Sequence, residues 1–130
     1  MSTLAVLHMA HDETQAHHFT QIACAQSHVG RIIGRHGITV RGIQLYAKVT
    51  IGIDQSRDSA EVVIVGSSLA DMALGTSIVL DVLLGNFKGF ALLREMVDAQ
   101  RETGEISGIR VFYRPGLGLF PVRQTCVHAR

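Results

Sequence analysis

Apolar positions along this chain recur in a pattern that predicts β-α-α-β-β-α followed by an extension. Phe19 to Ala25 reads as a strand with Phe19, Ile22 and Cys24 as its apolar positions, of which the last two alternate cleanly. Ile32 and Ile33, then Val40 and Ile43, are spaced like the inner faces of two short helices, Val29 to Ile33 and Ile38 to Tyr46. The two meet at a turn running from Gly34 to Gly37. Val49, Ile51 and Ile53 alternate in a strand from Lys48 to Ile53, and a polar loop follows at Asp54 to Ser59. Ala60 to Val65 is a β-branched run suited to a central strand. Ser67 or Ser68 then caps a long helix that reaches about Leu84 and ends at Gly85.

That long helix is apolar on more sides than a sheet can cover. Leu69, Met72, Ala73, Val79 and Leu83 would suffice for one face, yet Leu74, Ile78, Leu80, Val82 and Leu84 lie elsewhere around it. Its back needs a cover, either the remainder of the chain or a second copy of the protein. Phe87 to Arg101, with Phe90, Leu93, Met96 and Val97, reads as an amphipathic helix that packs on the domain through Phe87 to Val97. Ile109 to Tyr113 reads as a strand, and Pro115, Gly116, Gly118 and Pro121 mark an irregular tail. The expected organisation is an N-terminal segment 1–18, a domain 19–86 and a C-terminal extension 87–130. No membrane span is expected: Asp71, Asp81 and Gly75-Thr76-Ser77 interrupt Leu69 to Leu84, which falls short of the about 20 apolar residues a bilayer requires.

Length and charge narrow the function classes. At 130 residues the chain has room for one domain with extensions, or one domain plus a short second module, not two full domains. A net charge of +1 supplies no global basic field, so any hold on nucleic acid must come from a local patch. Arg31, Arg35, Arg41, Lys48 and Arg57 form one between His28 and Ser59, against Asp54 and Asp58. Cys24 and Cys126 are too far apart to suggest a disulfide framework or a zinc site, which points to a reducing, intracellular location. The run Leu4 to Leu7 is short and has no basic residue before it, and the first arginine is Arg31, so neither a secretory signal nor a transit peptide is expected. His8, His11, His17 and His18 share no ligand motif and read as a solvated polar segment rather than a metal site. Glu95, Asp98 and Glu102 read as the solvent face of the extension helix, partnered by Arg94 and Arg101. With no Ser/His/Asp or Cys/His constellation, neither an enzyme nor a bound cofactor is expected.

The richest chemistry sits in the stretch from Val29 to Arg41. Glycines at both ends of the Gly34-Arg35-His36-Gly37 turn allow positive φ and let a sugar-phosphate chain lie against bare backbone. The N-terminus of the second helix favours negative charge there. Arg35 and His36, between the glycines, would face the same strand.

From about Phe19 to Gly85 the chain resembles a KH domain, whose signature is a valine-isoleucine-glycine run, a GXXG loop and then an isoleucine or valine three residues on. The likeness continues past the loop, through Val40, Arg41, Ile43 and Gln44 into Ala47-Lys48-Val49-Thr50-Ile51. A strand and a long helix after the loop match the type I arrangement, a three-stranded antiparallel sheet packed by helices in an α+β fold. The type II arrangement would need both elements within Met1 to His18. The resemblance implies recognition of about four unpaired nucleotides of single-stranded RNA, or of single-stranded DNA, in a groove between the helices and the second strand. Gly34, Arg35, His36 and Gly37 would grip phosphates, with Arg31 and Lys48 in the basic surround. Gly30, Ile33 and Val40 would form the apolar floor, Arg41 would lie at its edge, and Gln44 with Thr50 and Ile51 would read base edges.

The chain departs from that pattern in places. It is shorter between Gln44 and Ala47, so the second helix is expected to end early with Tyr46 at the corner, and Gly42 within that helix costs about 1 kcal/mol relative to alanine. The short Asp54 to Ser59 loop suggests a shallow groove. The alternative function is an assembly module with a weak groove, binding a second copy or a ribonucleoprotein partner through Leu69 to Val97 and the extension.

Overall fold

A computed structural model of the chain describes residues 18–105 and 110–122. Strand β1 (His18–Ala25) leads through a 3₁₀ turn into helix α1 (Val29–Ile33). A second 3₁₀ turn, Arg35–Gly37, opens helix α2 (Ile38–Ala47). Strands β2 (Val49–Gln55) and β3 (Ser59–Gly66) and helix α3 (Leu69–Leu84) follow. Helix α4 (Phe90–Thr103) and the short strands β4 (Val111–Arg114) and β5 (Gly118–Pro121) form the extension.

The first three strands make one antiparallel sheet in the order β1-β3-β2, with the β-branched run in the centre. Its register sets Ile22 beside Val62 and Val62 beside Ile53, and likewise Thr20, Ile64 and Ile51 in the next row. Because side chains alternate across a strand, these rows share the face that the helices cover. Phe19 falls on the opposite face, half exposed, which is why it breaks the alternation of Ile22 and Cys24. The β2–β3 turn is tighter than the polar stretch suggests: pairing runs out to Gln55, and the Ser56 N–H donates to the Ser59 carbonyl at 2.9 Å.

Ser68 caps α3, its Oγ accepting from the Asp71 N–H at 3.0 Å, and Gly85 ends the helix in a left-handed conformation. The buried face differs from the sequence-based expectation. Ile78, Val79, Val82 and Leu83 enter the core, whereas Leu69 is 62% exposed and Ala73 also faces solvent. Met72 is half-buried, its sulfur accepting from the Thr20 hydroxyl at 2.6 Å.

The extension shares the core of the sheet and helices. Phe87, Leu93, Met96 and Leu119 join Ile32, Ile43, Val62, Ile64 and Ile78 in one buried cluster. Helix α4 docks on α2 rather than on the back of α3, and Gly42 permits it: a Cβ there would lie 2.7 Å from Leu93 Cβ and 3.2 Å from Leu93 Cα. The helix-propensity cost of Gly42 is thus offset by a close helix–helix approach. Helix α2 does not end early either; it runs through Ala47, and Lys48, in a left-handed conformation with φ 61°, donates its N–H to the Gln44 carbonyl at 2.9 Å.

The tail read as irregular is a β-hairpin. Strands β4 and β5 pair from Val111↔Pro121 to Arg114↔Gly118, turned by Pro115–Leu117. Ile109, the expected start of that strand, lies outside the described residues. The hairpin is clasped to α3 by a buried carboxylate, Asp81, which accepts from the Tyr113 hydroxyl at 2.5 Å and from the Gly116 N–H at 3.0 Å. Ser77 Oγ lies 2.7 Å from the Tyr113 oxygen and, since the phenol proton points to Asp81, acts as donor. Burial first, and the Asp81 bond second, push the Tyr113 hydroxyl up to about 12. Lys88 adds backbone bonds to either side of the turn, to Leu117 at 2.8 Å and from Leu119 at 2.9 Å.

Candidate nucleic-acid interface

Helix α1 buries Val29 and Ile32, which leaves Gly30 and Arg31 exposed and Ile33 half-buried at the surface. Ile32 and, from α2, Ile43 are fully buried and hold the two helices against the sheet. The junction between them is therefore fixed from below by packing. Above it, the Gly34 N–H closes α1 onto the Gly30 carbonyl at 2.9 Å.

Three successive departures from ordinary backbone then shape the loop. Gly34 has φ 74° and ψ 176°, His36 φ 56° and ψ 25°, and Gly37 φ 76°. The two glycines serve different needs. A Cβ on Gly34 would overlap the Thr39 hydroxyl and come 2.8 Å from the Thr39 backbone nitrogen, whereas at Gly37 the nearest atom would be Arg41 Nε at 3.9 Å. Gly34 is a packing requirement; Gly37 is a conformational one. His36 adopts a left-handed conformation without being glycine, a strained geometry of the sort that clusters at ligand clamps.

Gly37 is also the N-cap of α2, which has neither a side-chain cap nor an acidic residue in its first turn. The helix thus starts without a side-chain cap at the positive end of its dipole, its Ile38 N–H donating to the Arg35 carbonyl within the 3₁₀ turn. Arg35 and His36 are both exposed beside it. Arg41 is exposed one turn further on, with its Nε near Gly37, so three cationic or potentially cationic side chains gather at one loop. Arg31 points elsewhere: its guanidinium donates to the Leu83 carbonyl at 3.0 Å and so supports the last turn of α3.

The opposite wall is the sheet edge. Gln44 bridges it to α2, its Oε1 accepting from the Ile51 N–H at 2.9 Å. The bond occupies an amide that strand β2, as an edge, cannot pair within the sheet. Val40 and Ile51 are half-buried, as is Ile33. Thr50 stands opposite Val65 with its side chain on the outer face of the sheet, so its backbone is the part that belongs to the edge. Lys48 and Arg57 are exposed. One supporting residue escapes sequence reading, Thr39, buried under Gly34; Tyr46, expected at the corner, is half-buried in the last turn of α2, where burial raises its hydroxyl pKa and the Tyr113 backbone opposes the rise.

Among the described residues, no group of three or more His, Cys, Asp or Glu could hold a metal, and no helix is long and apolar enough to cross a membrane. His8, His11 and His17 lie outside those residues. Cys24 sits half-buried against the core, its thiol pushed up by burial.

An α+β module with a glycine clamp between two short helices, set against a sheet edge, has the architecture of a nucleic-acid-binding domain. The profile of the KH domain matches residues 19–75, from β1 into the first half of α3. With the β1-β3-β2 order and the strand and helix that follow the clamp, this part of the chain belongs to the KH family in its type I arrangement. KH domains are nucleic-acid-binding modules, and RNA binding is the general function the family confers. No curated protein matches the chain.

Proposed function

We propose that the chain binds single-stranded RNA by gripping about four nucleotides between the Gly34–Gly37 clamp and the edge of β2. The observation that carries this reading is the clamp itself: an uncapped helix start, free of acidic residues, behind a loop that Gly34 holds tight and that exposes Arg35 and His36. Phosphates lie on the amides and beside Arg35, His36 and Arg41. Bases rest on Gly30, Ile33 and Val40, whose aliphatic surface suits small pyrimidines. The NH₂ end of Gln44 faces a base edge, because its carbonyl end is bonded to Ile51. Lys48 adds positive potential around the strand, and the backbone of Thr50 and Ile51 completes the edge. Single-stranded DNA fits the same clamp. The work is recognition and includes no chemistry on the ligand.

The test is fluorescence anisotropy of a labelled, randomised single-stranded RNA at two salt concentrations, with Arg35→Asp/His36→Asp beside wild type. Binding by wild type alone, with a log–log salt slope of about −0.7 per phosphate contacted, is the expected result. Equal affinity of the two proteins refutes the clamp.

A second reading, assembly, is favoured by one observation: Leu69, Leu80 and Leu84 on α3 are 62%, 40% and 70% exposed. If α3 docks a second copy or a ribonucleoprotein partner, Leu80→Asp with Leu84→Asp lowers the mass measured by size exclusion with light scattering. A monomer insensitive to the change dismisses that reading.

A further inference from the structure

The C-terminal hairpin has two unlike faces. Towards the core it turns Tyr113 and Leu119, which carry the α3 clasp and the packing. Away from it stand Phe112, Arg114 and Phe120. Phe112 and Phe120 are cross-strand partners, with ring centroids 5.6 Å apart and planes tilted by 32°, and Phe112 is 42% exposed. Among the described residues, these three side chains with Pro121 and Val122 line an open cavity of about 460 Å³. Arg110 and Arg114 are both exposed, and no acidic residue occurs from 110 to 122.

We propose that this outer face is a second contact surface for single-stranded nucleic acid, on which Phe112 and Phe120 stack unpaired bases while Arg110 and Arg114 meet phosphates. The proposal rests on the clamp reading for the class of ligand but uses none of the clamp's residues. Its chemistry is that of a stacking platform: every base has a π face, so aromatic side chains bordered by guanidinium groups hold a strand without needing a particular sequence. A second copy or an apolar protein segment would be suited by a face without the two arginines, and an acidic protein segment would make no use of the ring pair.

The platform is also rigid and within reach. The Asp81–Tyr113 bond and the backbone bonds of Lys88 fix the hairpin from behind, so the rings are presented without an ordering cost at binding. Tyr113, next to Phe112, packs against the same core cluster as Tyr46 in the last turn of α2, while the clamp opens the first turn of that helix. The two surfaces therefore flank opposite ends of a ten-residue helix, about 15 Å long at 1.5 Å per residue. A strand longer than the clamp's own footprint reaches both.

The experiment compares labelled, randomised RNA pools of about four and about twelve nucleotides by anisotropy. Wild type is expected to bind the longer pool more tightly, and Phe112→Ala/Phe120→Ala to lose roughly tenfold or more on it while binding the short pool as wild type does. Phe112→Tyr/Phe120→Tyr retains wild-type affinity for both. Because the chain contains no tryptophan, Phe112→Trp introduces a lone indole whose fluorescence the longer pool quenches. Arg114→Glu, at an exposed position, gives the same selective loss without touching the rings. Unchanged affinity of both the double-alanine and the Arg114→Glu proteins for the longer pool overturns the proposal, as does an unquenched indole at saturation. A failed clamp reading shows separately, as Arg35→Asp/His36→Asp binding the short pool like wild type.

Discussion

Replacing Gly34 and Gly37 by alanine, one at a time, separates two physical reasons for a glycine that look alike in sequence. At Gly34 the backbone lies in the region near φ 74°, ψ 176°, which only glycine occupies comfortably, and a side chain there costs about 1–3 kcal/mol. The added Cβ would also overlap the Thr39 hydroxyl and crowd the Thr39 backbone nitrogen at 2.8 Å, an overpacking cost of another 1–3 kcal/mol or so. Gly34→Ala should therefore destabilise by about 3 kcal/mol, which at a urea m-value of about 2 kcal/mol/M lowers the unfolding midpoint by roughly 1.5 M. Gly37→Ala meets only an ordinary contact with Arg41 Nε and bears just the left-handed penalty, about 1 kcal/mol, and Gly37→Asn should bear less still. Urea unfolding followed by circular dichroism measures all three. Adding Thr39→Ala to Gly34→Ala should recover part of the loss, because it removes the overlapping hydroxyl while leaving the residue 39 Cβ at 2.6 Å and the backbone nitrogen at 2.8 Å. Equal costs for Gly34→Ala and Gly37→Ala would refute the loop geometry on which the clamp depends.

Three further outcomes follow from the packing. Gly42→Ala should destabilise by about 1 kcal/mol in thermal melts, since a propensity gain of about 1 kcal/mol is outweighed by overpacking against Leu93; a stabilised protein would mean that α4 does not sit on α2. The Tyr113 hydroxyl is raised from 10 to about 12, so its bond to Asp81 is complete below pH 10 and its contribution is lost as pH rises towards 12. Wild type should lose stability over that window while Tyr113→Phe does not lose that increment, and parallel urea midpoints would contradict the clasp. Gln44→Ala should release the Ile51 amide, lowering stability by about 1 kcal/mol and speeding its hydrogen exchange; an unchanged exchange rate removes the bridge.

Sequence reveals the parts of this protein that local rules govern. Ser68 before Leu69, Gly85 after Leu84, and the period-2 run Val49, Ile51, Ile53 each announce themselves within a few residues, and the glycine loop does so most clearly. What stayed hidden depends on meetings between distant segments. Gly42 reads as a defect in α2 until Leu93 arrives against it, fifty-one positions later. Asp81 reads as a polar interruption of α3, yet it is buried because Tyr113 and Gly116 come to it. The prolines and glycines from 115 to 121 read as a broken tail because β5 has only four residues, too few for alternation to stand out, and its register is imposed by β4 and Lys88. Arg31 looks like every other arginine near the loop, and only the position of Leu83 withdraws it to the end of α3.

These non-local meetings give the extension a role in the site. Helix α2 carries the clamp at its first turn, Gln44 and the edge strand along its length, and Tyr46 beside the hairpin at its last. One side of the helix is held by Ile43 against the sheet, and α4 reaches it at Gly42. A short helix with marginal intrinsic stability is thus fixed from two directions, and tertiary packing supplies what ten residues of local propensity cannot. Any loosening of α4 or of the Asp81–Tyr113 clasp should therefore be felt at Gly37 and Gln44 before it is felt in the sheet, because β3 keeps both its neighbours whether or not the extension is seated.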